Sequence, residues 1–106
     1  MRQTMNLSHA IIHNIEYSSN ELKWELKISY EGEIICIVKQ DGRGGCNQYF
    51  AINNLVWKQI SSLVISKTIN VLPAIEHMDL VLACCEEGYS LEQGIQIAKQ
   101  IHWLNA

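Results

Sequence analysis

The chain has 106 residues, 48% of them hydrophobic, which is enough to bury one core and too apolar for a disordered protein. Its formal net charge is -3 at pH 7, and its Lys and Arg residues are scattered, so no basic stripe is available for a phosphate backbone. These features predict a single domain over residues 1–106 and disfavour direct binding of nucleic acid.

The strand pattern occupies the first half of the chain. His9–Tyr17 alternates imperfectly, and a turn is predicted at Ser18-Ser19-Asn20. Leu22–Tyr30 alternates clearly, as expected in an antiparallel sheet with one solvated face. Glu31-Gly32 is predicted as a hairpin turn into Glu33–Gln40, which is apolar on both faces and is therefore placed at the centre of the sheet. A short extended piece over Asn47–Ala51 follows.

Helical spacing begins near Asn54, with Asn53 or Asn54 as the N-cap. A second helix is predicted with Pro73 in its first turn, an end at Glu87 and Gly88 as the stop. A capping box at Ser90–Gln93 opens a final helix. Its apolar stripe comprises Leu91, Ile95, Ala98, Ile101 and Leu104. The predicted fold class is α+β: a three- to four-stranded antiparallel meander, N-terminal in the chain, packed against two or three C-terminal helices.

The N-terminal residues lack the apolar core of a secretory signal, and no apolar run approaches the roughly 20 residues of a membrane span. We therefore expect a cytoplasmic protein with no membrane contact. The four cysteines, namely Cys36, Cys46, Cys84 and Cys85, are then expected to be free thiols. The adjacent Cys84 and Cys85 are predicted to lie in a helix, with side chains that point in different directions.

The best candidate for a binding surface is the loop after the third strand. It consists of Gly42, Arg43, Gly44, Gly45, Cys46 and Asn47. Successive backbone N–H groups beside an arginine can cradle an anion, although the loop lacks the features of a Walker loop or a dinucleotide fingerprint. The alternative is a wide turn or bulge in which the glycines serve geometry alone, and this structural interpretation carries about twice the weight of the functional one.

Other candidates for chemistry are weaker. Cys46 would act as a nucleophile only with a base nearby, and no family signature surrounds it. His9 and His13 share a strand face about 13 Å apart, too far to share one metal ion, so no metal and no cofactor are predicted. Glu86 and Glu87 are predicted to close the second helix against its dipole; the alternatives are that Glu87 favours the N-terminus of the next helix or that the pair is simply solvated. The final two helices outline a helix-turn-helix, which is also common in ordinary cores.

The three tryptophans, Trp24, Trp57 and Trp103, fall on different elements, and each is expected to anchor the core. Trp103, near the end of the chain, is the one that could instead serve at an interface.

The segment from Trp24 to Ile35, followed by the Gly42–Asn47 loop, resembles small proteins of phages and other mobile elements, in which a glycine-turn hairpin precedes a Gly-x-Gly-Gly-x-Asn loop. The resemblance covers roughly a quarter of the chain and carries no activity with it. What it implies is a compact protein that binds and blocks a host or phage protein, as anti-CRISPR and other anti-defence proteins do.

Two functional hypotheses follow from the sequence. The first is a non-enzymatic module that binds a protein partner through the Gly42–Asn47 loop, together with the polar strand face of Lys23, Glu25 and Lys27. The second is a small-molecule or anion-binding protein, or a hydrolase, that uses Arg43, Cys46 and a histidine in the same loop. Homo-oligomerisation is left open by the sequence.

Overall fold

The structure is a computed structural model that describes residues 5–18, 23–42, 47–68 and 77–104. A 3-10 helix spans Leu7–His9, and four strands follow: β1 Ala10–Tyr17, β2 Trp24–Tyr30, β3 Glu33–Gln40 and β4 Gln48–Ala51. The helices are α1 Asn54–Thr68, α2 His77–Ala83 and α3 Leu91–Leu104. The predicted α+β fold class, with an antiparallel meander followed by helices, is confirmed.

The four strands pair in chain order, β1-β2-β3-β4, and every pairing is antiparallel. The predicted hairpin turn is confirmed, because Glu31 and Gly32 both adopt positive φ angles of 52° and 88°. Two consecutive left-handed residues match the twist of antiparallel strands. We call this end of the sheet the turn end, and the opposite end, where β3 stops at Gln40, the loop end.

One face of the sheet packs against the helices. Directly opposed residues share a face, and the row Ile12, Ile28 and Cys36 is fully buried. Leu26 and Val38 form the next buried row. The predicted alternation of β2 and the interior position of β3 are thus confirmed. The opposite face carries the partly exposed row His13, Lys27, Ile37 and Phe50.

A bulge in β3 shapes the turn end. The register between β2 and β3 shifts after Ile28, so that Ile35 is inserted opposite the Ile28–Ser29 step. Ile35 and Cys36 are both buried as a result. Beyond the bulge, Tyr30 and Glu33 are direct partners at the last step of the hairpin.

The helices close the core and also cover the outer edge of β1. Ile60 and Val64 of α1, Val81 of α2 and Ile95 of α3 are fully buried. The connection between α2 and α3 runs along β1, where Ile12 donates its N–H to the carbonyl of Tyr89 and accepts from the N–H of Gly88, each at 2.8 Å.

This connection explains why the predicted end of the second helix is wrong. The helix ends at Ala83 and not at Glu87, because residues 86–90 must reach and pair with β1. Cys84 and Cys85 therefore lie beyond the helix, contrary to prediction. Glu87 does not oppose a helix dipole; its carboxylate accepts a hydrogen bond from the Ile15 N–H at 3.0 Å.

The predicted helix starts fare better. Asn53 caps α1 by accepting from the Val56 N–H, and Ser90 and Gln93 bond each other reciprocally at 2.8 and 3.1 Å, which confirms both the cap and the capping box. Ile101 departs from the predicted buried stripe of α3, since 46% of it is exposed. Pro73 and the side chains of Trp103 and Leu104 lie outside the described part.

The first strand starts later than predicted, and a glycine brings α2 and α3 close together. The first strand begins at Ala10, because Asn6 caps a 3-10 turn over Leu7–His9 by accepting from the Ser8 N–H. In α3, Gly94 permits close packing against α2 and the residues that follow it: a Cβ there would lie 2.9 Å from the Val81 carbonyl oxygen and 2.4 Å from the Cys85 sulfur.

Candidate functional site

The predicted glycine loop lies at the loop end, between β3 and β4. The structure describes its first and last residues, Gly42 and Asn47, while Arg43, Gly44, Gly45 and Cys46 lie outside the described residues. Gly42 has a φ of 79°, a left-handed conformation that glycine adopts without strain. The anion-binding and partner-binding roles of the loop therefore stay predictions.

The two flanks of the loop are bonded to each other through side chains. The Gln40 amide accepts a hydrogen bond from the Gly42 N–H at 3.1 Å and donates one to the Asn47 side-chain oxygen at 2.9 Å. Gln40 ends β3, and Asn47 directly precedes β4. These bonds fix the distance between the entry and the exit of the loop.

The flank on the β4 side is also tied to α2 by a carboxylate. Asp79 Oδ1 accepts one hydrogen bond from the Asn47 amide at 2.9 Å and a second from the Tyr49 hydroxyl. The ring of Tyr49 stacks on Trp57 of α1, with centroids 5.8 Å apart and planes inclined by 22°. We call Gln40, Asn47, Tyr49 and Asp79 the loop-end network.

The loop-end network is suited to stabilising the fold and not to catalysing a reaction. Burial, followed by the hydrogen bond and the negative charge of Asp79, raises the pKa of the Tyr49 hydroxyl well above its ordinary range. The hydroxyl thus stays protonated at neutral pH and donates to a carboxylate that another donor also occupies. A general acid or base needs a pKa near the working pH, so Tyr49 is suited to holding β4 on α2.

The described thiols are not activated. Burial raises the pKa of Cys36 to about 12, and burial with the neighbouring Cys84 raises that of Cys85 to about 12. The pKa of Cys84 is also raised by burial. A nucleophilic cysteine requires the opposite shift, towards the thiolate. Cys46, the thiol that the sequence singled out, lies outside the described residues.

The described histidine side chains are engaged away from the loop. His13 Nε2 lies 2.8 Å from the Ser29 hydroxyl on the open face of the sheet, and buried His77 Nδ1 lies 2.8 Å from the Thr68 hydroxyl. His9 is at the turn end, 3.9 Å from Glu31. Among the described residues, no group of three or more His, Cys, Asp and Glu side chains is arranged to hold a metal ion.

The polar strand face that was predicted to assist the loop is divided by the structure. Lys23 and Glu25 line a cleft of about 430 Å³ at the loop end, beside Lys39 and Asp41. Lys27 instead lies in the middle of the open face, opposite His13 and Ile37. Charges of both signs line this cleft, so it favours no single class of ligand.

A second region, which the sequence did not predict as a site, lies at the turn end. The hairpin end and the first turns of α1 enclose a cleft of about 540 Å³. Its described lining comprises Met5, Tyr30, Glu31, Glu33, Ile35, Asn53, Leu55, Val56 and Gln59. We call it the turn-end cleft. One residue in the sequence could have indicated this region. Glu33 is a carboxylate directly opposite Tyr30, which belongs to the inward-facing series of β2.

An apolar groove continues from this cleft along α1. It has a volume of about 540 Å³, and it shares Met5, Leu55 and Gln59 with the turn-end cleft before it extends to Leu63 and Ser66. Leu55, which lines both the cleft and the groove, is 69% exposed. A large apolar side chain is thus open to solvent where the two depressions meet.

No helix among the described residues has the length and hydrophobicity needed to cross a membrane. Comparison of the chain with known protein families, with curated proteins and with solved structures finds no match.

Proposed function

We propose that this protein is a small non-enzymatic module that binds a protein partner. The observation that carries the proposal is the exposure of Leu55 where the two joined clefts of α1 meet. Exposed apolar side chains that border a groove are typical of protein interfaces, where they supply the binding energy when a partner excludes water. Burial raises the pKa values of Cys36 and Cys85, so these thiols are not activated as the nucleophile that a competing enzymatic function would need.

The resemblance to proteins of mobile elements indicates which class of partner protein to test first. The first role to test is that of a phage or mobile-element inhibitor that blocks a host defence protein, as an anti-CRISPR protein does.

The experiment is a pull-down with tagged protein from a bacterial lysate, with and without nuclease, read by mass spectrometry. We expect a stoichiometric protein partner that survives nuclease. The Leu55→Ser variant should weaken its capture about tenfold or more, since truncating an interface anchor costs upwards of about 1.4 kcal/mol. Ile65→Ser is the matched control, because Ile65 is 42% exposed but does not line the clefts.

The glycine loop gives a second, separate test. If the Gly42–Asn47 loop contacts the partner, Arg43→Glu and Gly44→Val should each reduce capture while the protein stays folded. If both leave capture intact, the loop is only a turn. Loss of capture in the loop variants and not in the Leu55→Ser variant would move the contact surface to the loop end.

The alternative, a small-molecule or anion-binding protein or a hydrolase, depends on Arg43 and Cys46. Calorimetry with inorganic phosphate tests its anion-binding form, and the Arg43→Gln variant should abolish any heat of binding that is observed. Absence of heat, together with a protein partner, would leave the binding module as the function.

A further inference from the structure

The turn-end cleft combines an apolar floor with a negatively charged rim. The floor is formed by Ile35, which is 1% exposed, and by the side chains of Leu55 and Val56 from the first turns of α1. Glu31 and Glu33 flank the hairpin glycine and form the rim, and both are exposed to solvent.

The charge of the cleft has one sign. Of the described residues that line it, two are carboxylates and none is Lys, Arg or His. Lys58 lines the neighbouring groove and not the cleft itself. His9 approaches the Glu31 carboxylate to 3.9 Å from outside the lining. The region that a ligand would enter therefore favours a cation over an anion.

Hydrogen-bonding groups lie between the rim and the floor. The amide oxygen of Asn53 caps α1 at Val56, and the side chain of Gln59 is exposed beside it. The Tyr30 hydroxyl accepts from the Asn6 N–H at 3.0 Å, which holds the segment containing Met5 against the cleft. The described walls are thus fixed by the cap of α1, the hairpin and this tyrosine.

We propose that the turn-end cleft binds a segment of a partner protein that carries a Lys or Arg next to an apolar side chain. The cation would lie between Glu31 and Glu33, and the apolar side chain would cover Leu55 and extend towards the groove along α1. The aliphatic stem of Lys or Arg can itself pack on such a floor while its head stays at the rim. This inference rests on the proposed function and specifies the chemistry of the partner.

Charge complementarity selects this occupant over the other large ligands. A nucleic acid or an anionic membrane would bring phosphate groups against two carboxylates in a protein whose net charge is -3. An acidic or purely apolar peptide would leave the charged rim without a partner. A basic and apolar protein segment satisfies both the rim and the floor.

The test is selection of a random dodecapeptide display library on the full-length protein, followed by affinity measurement for the most enriched peptide. We expect the enriched sequences to carry Lys or Arg within a few residues of a large apolar side chain. Substitution Glu31→Gln/Glu33→Gln should weaken binding of that peptide about fivefold to tenfold, with a reduced dependence on salt, because each exposed ion pair contributes modestly to affinity and is screened by salt.

The matched control is Glu16→Gln/Glu25→Gln. It removes the same charge from a directly opposed pair on β1 and β2, remote from the cleft, and should change the affinity less than about twofold. Leu55→Ser should weaken binding of the same peptide, because it removes an apolar side chain from the floor of the cleft. Amide chemical-shift changes on peptide binding should centre on residues 31–35 and 53–59.

Three results would overturn the proposal. These are a library without enriched basic and apolar sequences, an affinity equally affected by both glutamine pairs, and self-association of the protein that only the Glu31→Gln/Glu33→Gln variant abolishes. The last would assign the cleft to a second copy of the chain. A partner captured from lysate that is insensitive to Glu31→Gln/Glu33→Gln would refute this inference and leave the binding function standing, whereas absence of any partner would refute the function itself.

Discussion

Both ends of the sheet carry polar side chains, but their partners differ. At the loop end, Asp79 receives hydrogen bonds from Asn47 and Tyr49, and Gln40 bonds both flanks of the glycine loop. At the turn end, Glu31 and Glu33 line an open cleft and are exposed to solvent. A polar group whose partners lie inside the protein stabilises the fold, while one that faces an open cleft is available to a ligand. The following predictions test this contrast.

The largest effect is expected from Asp79→Ala at the loop end. The substitution removes the acceptor of two hydrogen bonds and leaves the part-buried Tyr49 hydroxyl without it, so the free energy of unfolding should fall by about 2 to 3 kcal/mol. Urea denaturation measures this change. Glu33→Ala at the turn end is the matched control and should alter stability by less than about 0.5 kcal/mol. Equal losses in both variants would remove the contrast between the ends.

Alkaline pH should act on the loop end through Tyr49. The pKa of this hydroxyl is raised from its ordinary value of 10.0, so above pH 10 the unfolded chain releases a proton that the native state retains. Native stability therefore falls as pH rises, by about 1.4 kcal/mol per pH unit for this group. Because burial also raises the pKa values of Cys36 and Cys85 from 9.0 to about 12, some decline should begin near pH 9.

The Tyr49→Phe variant separates the contribution of Tyr49 to this pH dependence from that of the buried thiols. Its stability should decline less steeply than that of the wild-type protein between pH 10 and 11, by up to about 1.4 kcal/mol per pH unit. Denaturation curves collected across this range supply the comparison. Parallel curves for the two proteins would show that Tyr49 does not hold its proton in the native state.

A smaller effect is expected from Gln40→Ala, which breaks the link between the two flanks of the glycine loop. The loss of two part-buried hydrogen bonds should lower the free energy of unfolding by about 1 kcal/mol. Amide hydrogen exchange should increase at Gly42, whose N–H loses its acceptor, while exchange at the turn end stays unchanged. Protection of Gly42 that is identical in the variant would mean that the bond does not order the loop.

The smallest effect on stability is expected from Glu31→Gln/Glu33→Gln. Both carboxylates are exposed and close in sequence, so removing their charges should shift the free energy of unfolding by less than about 0.5 kcal/mol. Thermal unfolding at low and at physiological salt measures the shift. A loss above about 1 kcal/mol would show that the turn end is bonded internally, as the loop end is, and is not open to a ligand.

The sequence predicted the features that depend on neighbouring residues. Alternation in β2 predicted its buried face, and the hairpin turn, the Asn53 cap and the capping box at Ser90 are all confirmed. Each depends on a period or on hydrogen bonds that span a few residues, and such local preferences survive in the folded chain. For the candidate sites, the sequence identified the glycine loop but not the groups that hold its flanks.

Tertiary structure alone decided the remainder, because the deciding contacts join distant segments. Asp79 meets Tyr49 and Asn47 across 30 and 32 residues, which no local pattern encodes. The early end of α2 follows from pairing of residues 86–90 with β1, which overrides the helical pattern that continued to Glu87. The turn-end cleft likewise exists only because α1 folds back over the hairpin, which brings Leu55 beside Glu31 and Glu33.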